Sequence, residues 1–229
     1  MSEVTSALFA GAIVLALILH LAWLARASRN RASVALAIDH ASVRTVITDA
    51  ADVSDGTAGV ITWEGSWNGR RVQVRTIVDT LATRKLPARW LSVSITEPVS
   101  VPGTFDMMMR PGSPTTFSNF DHLDHTLPKV ADFPAEAVLR TDRKGVRFPQ
   151  DIIADHLEIF AEGRAKELLI TPKGVRIVWL LAEAERARYG VFRQAEFGGA
   201  RLEPALIEKL LISASALRDA INQRERQAA

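Results

Sequence analysis

The chain has 229 residues, 48% of them hydrophobic, which is enough for one globular domain with its own core. It carries 28 basic and 26 acidic side chains, intermingled rather than gathered into a stripe, which argues against a nucleic-acid surface. It has no cysteine, which excludes disulfides and cysteine–zinc centres.

Residues 7–25 form an apolar run whose only titratable side chain is His20. As a helix, these 19 residues cover roughly 28 Å, against the ~30 Å hydrocarbon core of a bilayer. The run therefore predicts a single transmembrane helix, a signal-anchor, with the bilayer as a partner through residues 7–25. Trp23 stands where an interfacial aromatic belongs. Residues 1–6 read as a short outside tail whose only charged side chain is Glu3, while Arg26, Arg29 and Arg31 follow the run. Basic flanks stay cytoplasmic, so the expectation is an inner-membrane protein, N-terminus outside, with its C-terminal domain in the cytoplasm. Ala7 and Gly11 are spaced for close approach of another helix. The rival reading is a secretory signal cleaved near Ala27, at the small-x-small sequence Ala25-Arg26-Ala27, which would export the domain. The absence of a basic stretch ahead of the run, and the run's length, count against it.

Residues 26–57 read as a basic flank and a juxtamembrane helix or linker, with Val34, Ile38, Val43, Val46 and Ile47 at three- and four-residue steps. Asp52 to Gly56 follows as a loop. Residues 58–229 are read as the globular domain, beginning with a β-meander over 58–110. Ile61, Trp63 and Trp67 alternate with polar residues, Asn68-Gly69 makes a hairpin turn, and Val72, Val74 and Val78 return. Arg70, Arg71 and Arg75 accompany the valines, a candidate contact for an anionic headgroup or other anion. Leu91, Val93 and Ile95 make a third strand, and Phe105 to Met109 a short fourth.

Residues 111–148 read as a loop-rich connection. Within it, Asp121, His122 and His125 share a face if the segment is helical, a combination that suits zinc or a similar ion. Further ligands would be borrowed from His156 or Glu158. Phe117, Phe120, Leu123 and Leu127 are expected to pack inward. Ala137 to Leu139 is short enough to be helix or strand.

The last section, 149–229, opens on a helix from Pro149 through Glu162, stopped by Gly163. A hairpin follows, with Lys173-Gly174 in its turn and a second leg apolar on both faces, Val175 to Leu181. Tyr189 to Phe197 reads as another strand. From Pro204, Leu206, Ile207, Leu210, Leu211, Ala214, Leu217 and Ile221 give a long amphipathic helix. The expected fold class is thus α+β: a transmembrane helix, then antiparallel meanders and hairpins packed with helices.

The sequence contains no glycine-rich phosphate loop, GxSxG elbow or HExxH motif. Asp142, Asp151, Asp155 and Glu158 are acidic residues in or near the Pro149 helix, with no pairing evident in sequence. The reading that follows is a non-catalytic protein without a cofactor: a scaffold or accessory subunit of a membrane complex, with other membrane proteins or a second copy as partners. Two alternatives come from other classes. One is a metal-dependent hydrolase using Asp121, His122, Asp124 and His125; the other is a surface domain that senses anionic lipid through Arg70, Arg71 and Arg75. The overall plan is similar to that of many bacterial single-pass proteins, a likeness too general to assign residues.

Overall fold

The computed structural model describes residues 2–80, 86–112, 115–186, 189 and 195–228. By compactness the chain divides into two units, Met1–Ala41 and Ser42–Ala229. Helix α1 (Ser2–Val46) begins in the first. Leu8, Phe9, Leu21 and Trp23 are exposed on it, and His20 stacks on Trp23 with ring centroids 6.0 Å apart.

The membrane-spanning expectation is corrected here. Among the described residues, no helix is long and apolar enough to cross a membrane. The apolar run is only the first part of helix α1, and Arg26 follows it directly. The helix does not end with that stretch: it passes Arg26 and continues to Val46, 45 residues in all. The transmembrane element of the fold class, the signal-anchor description, the bilayer contact through residues 7–25 and the inner-membrane topology lose their support together.

In the second unit, β1 (Thr48–Asp52) replaces the end of the expected juxtamembrane helix. There follow β2 (Val60–Trp67), β3 (Arg70–Asp79), β4 (Ala88–Ile95), β5 (Phe105–Met109), β6 (His125–Thr126), β7 (Ala137–Thr141), β8 (Ala165–Thr171) and β9 (Gly174–Glu183). They form one antiparallel sheet in the order β1-β2-β3-β4-β9-β8-β5-β7-β6, rather than separate meanders. The join is the β4–β9 ladder, which runs from Ala88↔Glu183 to Ile95↔Val175. β5 does not follow β4 in space; it inserts between β8 and β7. The helix expected from Pro149 to Glu162 is broken into α2 (Gln150–Ala154) and a 3-10 turn (Glu158–Glu162), which Gly163 closes at φ 73°. The strand expected at Tyr189 to Phe197 falls mostly outside the described residues.

Alternation along the strands sorts side chains onto two faces. One carries Val72, Val74, Leu91, Val93, Ile95, Val175, Ile177, Trp179, Leu168 and Ile170, all buried. Helix α3 (Pro204–Ala228) packs on it through β4 and β9, burying Ile207, Leu210, Leu211, Ala214, Leu217 and Ile221. Fully burying each such side chain stabilises the fold by about 1.5–3 kcal/mol, so this face is the main core. Lys209 of α3 lies 5.8 Å from the Trp179 ring centroid, which fixes which face the helix covers.

The opposite face is built differently. Its apolar part, Ile77, Met108 and Val178, is covered by Phe117 and Phe120 from the segment after β5, with Val60, Trp90 and Val138 packed alongside. Most of the rest of that face is polar.

Candidate functional site

Register places the polar residues of this second face in two rows. The first row is Thr62–Arg75–Ser92–Val178–Glu167–Met108 across β2, β3, β4, β9, β8 and β5. The second, one pleat further on, is Glu64–Gln73–Ser94–Arg176–Leu169–Asp106–Arg140, ending on β7. A bulge in β8 makes this possible. Ala165 pairs with Trp179 and Glu167 with Val178, so Lys166 is an extra residue and Glu167 turns to the polar face.

At the centre, Arg176 Nη2 donates to Glu167 Oε2 at 2.7 Å. Glu167 is 0% exposed and Asp106 1% exposed. Burial pushes the Asp106 carboxyl up to about 8; the neighbouring Glu167 charge adds to the rise, and Arg176 and Arg140 oppose it. Burial likewise raises Glu167, against the pull of Arg176 and the Ser118 hydroxyl. Arg75 is drawn below its ordinary value by burial and then by repulsion from Arg176. Two guanidiniums therefore share one face, on strands separated by β4. Arg75 Nε, Trp90 Nε1, Ser92 Oγ, Asp106 Oδ1, Glu167 Oε1 and Arg176 Nε are all buried there without a hydrogen-bond partner among the described residues. Such atoms are costly in a fold and accumulate where a ligand or ordered water completes them.

Beside this cluster the face opens into a groove of about 380 Å³, lined by Gln73, Ser94, Thr96, Thr171, Lys173 and Arg176 among others. Gln73 Nε2 donates to Glu64 Oε1 at 2.8 Å, engaging the carboxylate that stands opposite it on β2. What remains toward the groove is cationic and rich in hydroxyls.

The sequence-proposed arginines separate. Arg70 points to the helix-covered face, where it donates to both oxygens of Asp219 at 3.0 and 2.7 Å and lies 3.6 Å from Glu97. Arg71 and Arg75 share the open face with Arg176 and Lys173. The proposed metal residues lie in the connection. Asp121 and His122 are in a 3-10 turn (Phe120–His122), and His125 opens β6. Asp121 faces Arg140 at 3.8 Å, and Arg140 also donates to the Phe120 carbonyl at 3.0 Å and sits 4.7 Å from that ring's centroid. His156 Nδ1 lies 2.9 Å from the Ile152 carbonyl, within its own helical segment. Among the described residues, no group of three or more His, Asp or Glu is placed to hold a metal ion.

Sequence reading did not pick out Asp106, Glu167 or Arg176. A signal was present: Asp106 is the single charge of an apolar strand, Glu167 and Arg176 each stand among apolar strand residues, and buried charges are retained only with partners.

No protein-family model and no curated protein matches the chain. Among solved structures, it is similar to the mycobacterial trehalose monomycolate transport factor A, with 9% identity over 76% of this chain and 79% of that one. The TM-score is 0.40, a likeness too distant to carry the fold or an activity across.

Proposed function

We propose that the second unit is a non-catalytic binding module, acting as a scaffold or accessory subunit, that receives an anionic group on the open face of its sheet. The observation that carries this reading is the pairing of Arg75 with Arg176. Arg75 and Arg176 share one face, where the charge of Arg176 disfavours that of Arg75, Arg176 is bonded to a buried carboxylate, and the groove that Arg176 lines also presents Lys173, Ser94, Thr96 and Thr171. An anion between them relieves the repulsion and fills unused donors, a geometry suited to planar or tetrahedral oxyanions. Phosphate, sulfate and carboxylate share this chemistry, whether free or displayed on a surface.

The test is sulfate binding to the full-length protein by calorimetry, with vesicles of phosphatidylglycerol and of phosphatidylcholine as separate arms. Saturable sulfate binding that weakens about tenfold in Arg75→Gln and is unchanged in Arg70→Gln supports a small-anion site. A phosphatidylglycerol preference that disappears in Arg75→Gln, without sulfate binding, supports a surface-displayed anion. Binding that is absent in both arms, or that responds equally to Arg70→Gln and Arg75→Gln, overturns the reading.

A further inference from the structure

Arg176 serves two environments at once. One edge of its guanidinium holds Glu167 Oε2 at 2.7 Å, and its side chain, 21% exposed, lines the open groove. Behind it, Glu167 and Asp106 are buried with one carboxylate oxygen each lacking a partner among the described residues. We propose that Arg176 couples the groove to this acid pair, so that an anion sharing Arg176 in the groove drives uptake of a proton by Glu167. The inference rests on the anion-binding reading above and adds its regulation.

The argument is one of charge balance. The groups facing the pair are Arg176 on β9, Arg140 on β7, Lys166 on β8, and Asp121 and Ser118 on the segment after β5. Arg140 is committed to the Phe120 carbonyl and to Asp121, and Lys166 donates to the carbonyl oxygens of Met109 and Arg110. Arg176 is thus the cation that compensates Glu167 directly. An anion brought to its groove edge takes part of that compensation and adds its own negative field at short range. Neither carboxylate can turn to water, because both are enclosed. Protonation is the remaining way to lower the buried charge, and two coupled acids already titrate as a pair. The proton comes from solvent, and no covalent bond changes other than the O–H formed on a carboxylate oxygen. By linkage, anion affinity then rises as pH falls across the range in which the pair titrates.

Sulfate is the appropriate probe because it does not itself titrate near neutral pH. Calorimetry of the full-length protein with sulfate, run at pH 7 in two buffers of different ionisation enthalpy, reads the protons exchanged per anion bound. The expected result is uptake of roughly half to one proton per sulfate, with affinity increasing several-fold for each unit of pH lowered. In Glu167→Gln the uptake is expected to fall at least by half and the pH dependence to flatten. The wild-type proton count decides the matter even if that variant does not fold. Sulfate binding with no difference between buffers overturns the coupling and leaves the anion site standing. Absence of sulfate binding overturns the coupling as well, and the vesicle arm then decides the broader reading.

Discussion

Arg70 and Arg71 are neighbours in the chain and stand on opposite faces of β3. Arg70 grips Asp219 of α3 through two hydrogen bonds, 3.0 and 2.7 Å long, while Arg71 is exposed on the face that holds the groove. Asp219 is about half exposed, so Asp219→Ala is expected to lower stability by only about 1 kcal/mol. It should leave anion binding unchanged. Urea unfolding and sulfate calorimetry on the same variant check both halves.

Asp106 makes stability depend on pH in an uncommon direction. An unfolded aspartate loses its proton near pH 4 (about 3.9), whereas Asp106 in the fold holds its proton up to about 8. Between those values the folded state binds more protons than the unfolded one, so this group's contribution falls as pH rises and levels off above the folded value. The slope reaches about 1.4 kcal/mol per pH unit at most. Asp106→Asn keeps the shape, removes the titration, and is expected to flatten the profile between pH 5 and 8 relative to wild type. Chemical denaturation at several pH values measures it.

Gly174 opens β9 beside the carbonyl of Ile95. A Cβ placed there would sit 2.2 Å from that oxygen, and the obstacle is backbone that cannot rotate away. Gly174→Ala is therefore expected to cost about 2 kcal/mol or more by forcing the β4–β9 ladder apart at its end. Denaturant midpoints give the cost.

Phe117 ties the segment after β5 to the sheet. Its ring lies 5.0 Å from that of Trp90, and the side chain is 6% exposed. Phe117→Ala is expected to destabilise the unit by about 3 kcal/mol. It should also change the near-ultraviolet circular dichroism, because Trp90 loses an aromatic neighbour. An unchanged spectrum with full stability would show that the segment is held from elsewhere.

Local pattern made part of this fold legible and left part of it hidden. The Asn68-Gly69 turn was readable because both residues take positive φ, 49° and 76°, as a two-residue hairpin demands. The second hairpin was readable in outline only: its loop is Pro172-Lys173, since Thr171 already pairs with Gly174. That glycine answers to Ile95 across the ladder rather than to the turn. The pairing of β4 with β9, and of β5 with both β7 and β8, joins residues far apart in the chain. Alternation within a strand says which side chains share a face and nothing about which strand comes next to it. For the same reason Arg71 and Arg75 were visible as a basic pair, while Arg176, more than a hundred positions later, was not seen to join them. The apolar run at 7–25 was read by composition alone, and its helix continues well past it to Val46.

The extra residue in β8 has one more consequence. On either side of Lys166 the ladder keeps its own phase, Ala165 with Trp179 and Glu167 with Val178. Excising Lys166 would splice two stretches that already agree, whereas excising Leu168, Leu169 or Ile170 would invert one of them and send a carboxylate toward the helix-covered core. The bulge is where evolution, or a protein engineer, has room to shorten the strand without turning it over.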